Sequence, residues 1–288
     1  MKEPAMIDRF RHWMGRALVA LAVGVFAPCA EAQRDYEPLF DRFNLKLEGS
    51  WVGLNTEVRL DSELAGTGTT LSFEDDLNLD GSKTIPTLAF EWQVARRHRL
   101  GVRWQDISRD STAQALTEIR WGDEVIPIDA RIQLGFDLTQ TFVDWTYYPW
   151  VREKWAAGFG LGFRLLQVSA GLTWEQQQIG DGRDSADGTG PLPYLYGEYR
   201  RLLGDHWRVH AGLGWLYVEI EDIKGGQVIA RLGGEYLLGE RWGFGAAFNY
   251  STIDVDWGGL QTDEGDSVLT AAIKMDISDF SVFVRLRF

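Results

Sequence analysis

From about residue 42 to the C-terminus the chain alternates apolar and polar positions. Trp242, Phe244, Ala246, Phe248 and Tyr250 are separated by Gly243, Gly245, Ala247 and Asn249, so a strand through them has one aromatic face and one small or polar face. The last nine residues repeat the pattern: Phe280, Val282, Val284, Leu286 and Phe288 share one face, and Ser281, Phe283, Arg285 and Arg287 the other. No stretch beyond the N-terminal segment has a helical period. In a soluble sandwich the apolar face would meet a second sheet. Here the opposite face carries Arg and Glu, which need partners or water, so the sidedness is inverted, with lipid outside and a polar interior. The predicted fold is all-β, a transmembrane antiparallel up-and-down barrel.

Turns and loops give the strand number. Short connections at Arg96–His98, Val151–Lys154, Leu203–His206 and Gly239–Glu240 alternate with mostly longer ones at Asp61–Lys83, Trp121–Ile126, Glu175–Gly190, Ile223–Gly226 and Trp257–Gly265. With both termini on the turn side this makes ten strands: 42–60, 84–95, 99–120, 127–150, 155–174, 191–202, 207–222, 227–238, 241–256 and 266–288. Eight or twelve stay open, because a bulge or a hairpin within a loop mimics a strand. Trp150, Trp155, Trp207 and Trp242 abut the short turns. Trp207 with Tyr217, and Trp242 with Tyr250, stand about one membrane crossing apart, roughly 9 to 11 residues on a tilted strand. The segments 99–120 and 127–150 are longer than that, and are expected to continue beyond the outer interface.

Residues 1–32 have the layout of a cleavable secretory signal: Lys2, Arg9, Arg11 and Arg16, then the apolar run Ala17–Phe26, then Ala30-Glu31-Ala32. Residues 33–41 are expected as a short periplasmic segment, and 42–288 as the barrel. A lipoprotein starting at Cys29 is the competing reading, and Pro28 directly before that cysteine speaks against it. Cleavage after Ala32 removes the single cysteine, so no disulfide framework and no thiol nucleophile remain.

Composition excludes two classes. With 45% hydrophobic and 25% charged residues and a mean hydropathy of -0.20, the chain is neither disordered nor a bundle of membrane helices. The 13 Trp, 9 Tyr, 15 Phe and 32 Gly suit a barrel with aromatic girdles. Of the net charge of -13, most belongs to one end: the stretches Asp61–Lys83, Trp121–Ala130, Glu175–Gly190, Val218–Lys224 and Asp254–Asp266 hold 21 acidic residues against Lys83, Arg183 and Lys224. Nucleic acid is disfavoured as a partner of that face, and divalent cations or cationic ligands suit it. A solvated, charged loop surface is the plainer reading.

The terminal strand Phe280-Ser-Val-Phe-Val-Arg-Leu-Arg-Phe288 resembles that of bacterial outer-membrane β-barrel proteins. In that superfamily the alternating apolar residues Phe280, Val282, Val284, Leu286 and the final Phe288 are a sorting signal. The resemblance therefore implies transient contact with the barrel-assembly machinery, residence in the cell outer membrane, and outer-membrane lipid and lipopolysaccharide as surroundings. Phe73-Glu-Asp-Asp-Leu-Asn-Leu79 also looks like an acidic loop motif of uncharacterised small barrels.

Three chemistries remain. Asp76-x-Asn78-x-Asp80-Gly81 matches the opening of a calcium loop, but the twelfth position is Thr87 rather than Glu and no helices flank it, so an ordinary acidic turn competes and no cofactor is expected. For an enzyme, ten strands with an acidic mouth look superficially like the omptin proteases, which resemblance implies a histidine base in the outer half. Here His98 and His206 fall in turns, His210 lies near the turn end and His12 belongs to the leader, so no enzyme is expected; Asp254-x-Asp256 is the carboxylate alternative. For a pore, parity points Glu48, Glu91, Arg103, Asp144, Arg164, Glu198, Arg231, Glu235 and Arg285 inward, together with Lys46, Arg200, Arg208 and Arg287. These either close the lumen as ion pairs or line a narrow wet path, and ten strands lie nearer the filled end of the size range. The expected role is thus structural, surface interaction or narrow permeation.

Overall fold

The computed structural model describes residues 39–62, 67–121, 124–176, 180–220, 223–261 and 268–288. The predicted leader lies outside these. In chain order the strands are β1 (Phe43–Ser62), β2 (Leu71–Ser72), β3 (Ser82–Ala95), β4 (His98–Gln114), β5 (Ile119–Trp121), β6 (Glu124–Ile126), β7 (Arg131–Val151), β8 (Trp155–Gln176), β9 (Gly180–Leu203), β10 (Trp207–Ile220), β11 (Ile223–Leu238), β12 (Trp242–Gln261) and β13 (Val268–Arg287). Among the described residues ten of them form the wall, in the order β1-β3-β4-β7-β8-β9-β10-β11-β12-β13, every neighbour antiparallel. Pairing of β13 with β1, from Asn44↔Arg287 to Ser62↔Leu269, closes the ring. Closure leaves no edge along the membrane crossing, which an apolar solvent requires. At two of the tight turns Gly204 (φ +68°) and Gly239 (φ +59°) take the left-handed backbone that a side chain disfavours.

Several boundaries differ from the sequence reading. The expected strand 99–120 ends at Gln114, and Ile119–Trp121 instead pairs with Glu124–Ile126 in a separate small hairpin. The expected loop Glu175–Gly190 is mostly strand: β8 and β9 stay paired from Trp155↔Arg201 up to Gln176↔Gly180. Its Gly- and Asp-rich sequence reads as a turn, but a continuous backbone ladder needs no strand-forming side chains on one of its two members. β12 likewise continues to Gln261.

Each long strand keeps one parity inward and changes chemistry halfway. On β1, Asn44, Lys46, Glu48 and Ser50 are buried, and the same parity continues with Val52, Leu54, Val58 and Leu60. Its other face runs from Leu45, Leu47 and Trp51 to Asn55 and Glu57. β13 repeats this, with Arg287, Arg285, Ser281 and Asp279 inward near the turn end and Ile277, Met275, Ile273 and Ala271 inward above them. The lower half thus has an apolar outside and a polar inside, and the upper half reverses both. The lower half fits lipid; the upper half is built like a water-soluble protein around an apolar core.

Candidate functional site

The interior is filled from the turn end upward. Leu39 and Phe40, expected ahead of the barrel, are folded into its lower mouth against Tyr148, Ala156, Leu202 and Leu237, with the Phe40 and Tyr148 rings edge to face at 4.9 Å. Burial of two large apolar side chains holds the segment there. Asp41 follows them inward and accepts from Arg208 (2.7 Å) and Arg287 (2.6 Å), with Arg285 at 3.2 Å. Burial by itself would raise the Asp41 carboxyl, but Arg208, Arg285 and Arg287 outweigh it and hold the pKa at about 2. Glu235 completes this layer, 2.5 Å from Arg208 and 2.7 Å from Arg285.

The next layer centres on two glutamates. Glu91 accepts from Lys46 and Arg200, each at 3.1 Å, and Glu198 accepts from Arg99, Arg200, Tyr148 and Tyr196. Above them Arg103 reaches Glu48 (3.0 Å) and Asp279 (2.5 Å), and Arg231 reaches Asp144 (2.7 Å), which also accepts from the Tyr194 hydroxyl. The space left among these groups is a cavity of about 70 Å³ that His210 also lines. That is room for about two waters.

Glycines make the packing dense. A Cβ on Gly162 would lie 2.4 Å from the Tyr194 ring, and one on Gly212 would lie 2.2 Å from the Tyr196 hydroxyl. The inward Gly162 of β8 thus makes room for the Tyr194 ring.

The upper half is closed by apolar side chains. The acidic motif of the first long loop turns inward, and its Phe73, Leu77 and Leu79 are 0%, 1% and 3% exposed. Phe73 packs edge to face on Phe136 at 5.4 Å and beside the buried Trp121 of the small hairpin. One ion pair crosses this core: Arg109 donates to Glu74 (2.6 Å), to the Asp80 carbonyl (3.0 Å) and to Thr56 (3.1 Å). Of the motif's carboxylates Glu74 is drawn into this ion pair, whereas Asp75 and Asp76 stay exposed. Asp76 accepts from the Ser72 N–H at 2.8 Å, stabilising the turn, and Asn78 takes a positive φ of 54°. Among the described residues no three His, Cys, Asp or Glu side chains are grouped to hold a metal ion.

All the sequence-nominated lumen residues lie in the interior, and the terminal-strand residues Phe280, Val282, Val284 and Phe288 face outward, exposed. Sequence reading missed Arg99, Asp279, Asp41, Arg109 and Glu74. For Arg99 and Asp279 the signal existed, since each shares the inward parity of its strand with Arg103 or Arg285. Asp41 and Glu74 lie outside the barrel strands and carry no period to read. Asp254 and Asp256 are exposed on the outer wall, while His98 and His206 stack on Trp145 and Tyr236 at the turn end.

Comparison with known proteins agrees with the architecture. No protein-family model matches the chain, and no curated protein does. Among solved structures, the outer membrane protease OmpT of Escherichia coli superposes with a TM-score of 0.56 at 9% identity, over 85% of this chain and 97% of that one. The outer membrane protein OprG of Pseudomonas aeruginosa covers 87% of this chain and 98% of its own at 11% identity, with a TM-score of 0.40. At such identities the likeness concerns the fold. A closed antiparallel barrel with an outward apolar belt is how chains span the bacterial outer membrane, and this chain is placed there. It has the fold of the bacterial outer-membrane β-barrel proteins.

Proposed function

We propose that the chain is a non-enzymatic outer-membrane barrel with a closed lumen, whose part above the membrane serves as a contact surface rather than as a conduit. The double closure carries the reading: an ion-paired lower lumen stoppered by Leu39 and Phe40, and an apolar upper core completed by Phe73, Leu77 and Leu79. Passive permeation needs a continuous wet path, and a ten-stranded interior filled with paired side chains offers none. The upper wall supports a surface role, because it presents Asp106, Asp110, Asp137, Asp254 and Asp256 outward on regular strands. Against an enzyme speak the three described histidines, all in the lower part of the barrel, and the outward direction of Asp254 and Asp256. Planar-bilayer recording of the refolded protein tests this. Electrical silence is expected, and stepwise openings of the wild-type chain would overturn the closed-lumen reading.

A further inference from the structure

One seam of the barrel wall is incomplete. β9 pairs with β8 up to Gln176↔Gly180, and β10 pairs with β11 up to Ile220↔Ile223, yet the β9–β10 ladder ends at Leu195↔Trp215. Just above lie Pro191 and Pro193. Alternate residues of an antiparallel strand direct their N–H groups to the same neighbour. The β8 ladder runs unbroken through Leu165↔Pro191 and Phe163↔Pro193, so the donors these prolines lack are those facing β10. Gln227 bridges the seam instead, its amide donating to the carbonyls of Leu192 (2.7 Å) and Pro193 (3.3 Å).

Leu192 is the register partner of Arg164. Arg164 is 0% exposed, and its guanidinium donates to the Gln140 Oε1 and to the Ser251 hydroxyl (3.3 Å), with the Phe142 ring at 4.9 Å. Among the described residues no carboxylate pairs with it, whereas Lys46, Arg99, Arg109, Arg200, Arg208, Arg285 and Arg287 each have one. The Arg164 Nε–H and the Gln140 amide N–H donors meet no acceptor. A buried cation beside two unanswered donor groups is costly unless an anionic oxygen meets them. Arg164 also lies about one membrane crossing beyond Trp155, at the level of outer-leaflet headgroups, and the seam below is rimmed by the exposed apolar Leu195 and Trp215.

We propose that Arg164 and Gln140 receive an oxyanion headgroup, phosphate or carboxylate, of an amphiphile that enters sideways through the β9–β10 seam. The site lies in the closed interior but is reached through the wall rather than along the barrel axis, so its failure would leave the conductance result untouched. The test is calorimetric titration of the refolded barrel, in uncharged maltoside detergent, with lysophosphatidic acid, the monoacylglycerol of the same chain length, and inorganic phosphate. One lysophosphatidic acid per barrel is expected, with no saturable binding of the neutral lipid. Arg164→Gln, its fold checked by the heat-modifiable gel shift, should weaken binding by about 30-fold or more, while Arg164→Lys retains most of it. Should Arg164→Gln not fold, the double variant Pro191→Val/Pro193→Val, which restores the backbone donors, carries the test: association followed by tryptophan fluorescence should slow by about tenfold. Equal binding of monoacylglycerol, an Arg164→Gln variant that binds normally, or no binding at all would overturn the site. Inorganic phosphate binding as tightly as the lipid, or an unchanged association rate in the double variant, would overturn the sideways entry of an amphiphile.

Discussion

The two halves of this barrel share strands and parity, and differ chiefly in which chemistry occupies each side. In β7, Asp144 and Thr146 point inward below while Leu134, Phe136 and Leu138 point inward above; Trp145 and Trp150 are exposed outward below, and Gln133 and Asp137 above. The backbone imposes a period of two and nothing more. The surrounding medium then decides which face must be apolar: lipid demands it outside, whereas above the membrane water demands it inside. The interior must compensate accordingly, with ion pairs and tyrosines in the lower half and close-packed Leu, Ile, Val and Phe in the upper.

The sharpest way to break this contrast is to unpair the lower half. Glu198→Leu would leave the buried Arg99 and Arg200 short of a counter-charge, and should cost about 3–5 kcal/mol in urea unfolding of the barrel in lipid vesicles. A loss below 1 kcal/mol would mean that the layer is hydrated enough for water to replace the carboxylate.

The outer faces should respond oppositely to one charge. Leu232→Arg, on the lipid-facing wall at mid-strand, should cost about 2–4 kcal/mol, and Asp137→Arg on the upper wall within about 0.5 kcal/mol of nothing. Equal costs would remove the boundary between the halves.

Acid tests the lower mouth. The pKa of Asp41 falls from 3.8 to about 2 on folding, so its contribution is present above the unfolded value and is lost as pH drops from about 4 through about 2. The urea midpoint of the wild type should fall across that window more steeply than that of Asp41→Asn. Parallel curves would mean that Asp41 does not hold the lower mouth.

Much of this was legible from period alone. The alternation in Trp242–Tyr250 and Phe280–Phe288 predicted outward and inward faces, and the four tight turns predicted ten strands. The reversal halfway up was written in the same residues, because Val52, Leu54, Val58 and Leu60 continue the parity of Lys46 and Glu48. It was hidden by treating one face as polar throughout. Less legible was Phe73-Glu-Asp-Asp-Leu-Asn-Leu79, which reads as an acidic surface loop. Only a mouth lined with apolar side chains selects its Phe73, Leu77 and Leu79 to turn inward and leaves Asp75 and Asp76 in water.

By itself the sequence determined that the chain is a β-barrel, which positions face in, and which end is acidic, since these depend on residues two apart or on local turns. The tertiary structure decided what the interior does. Asp41 meets Arg208, Arg285 and Arg287, and Arg164 meets no carboxylate among the described residues, through contacts between strands far apart in the chain. Whether a buried charge is answered is a matter of distance across the barrel, and no local pattern encodes that distance.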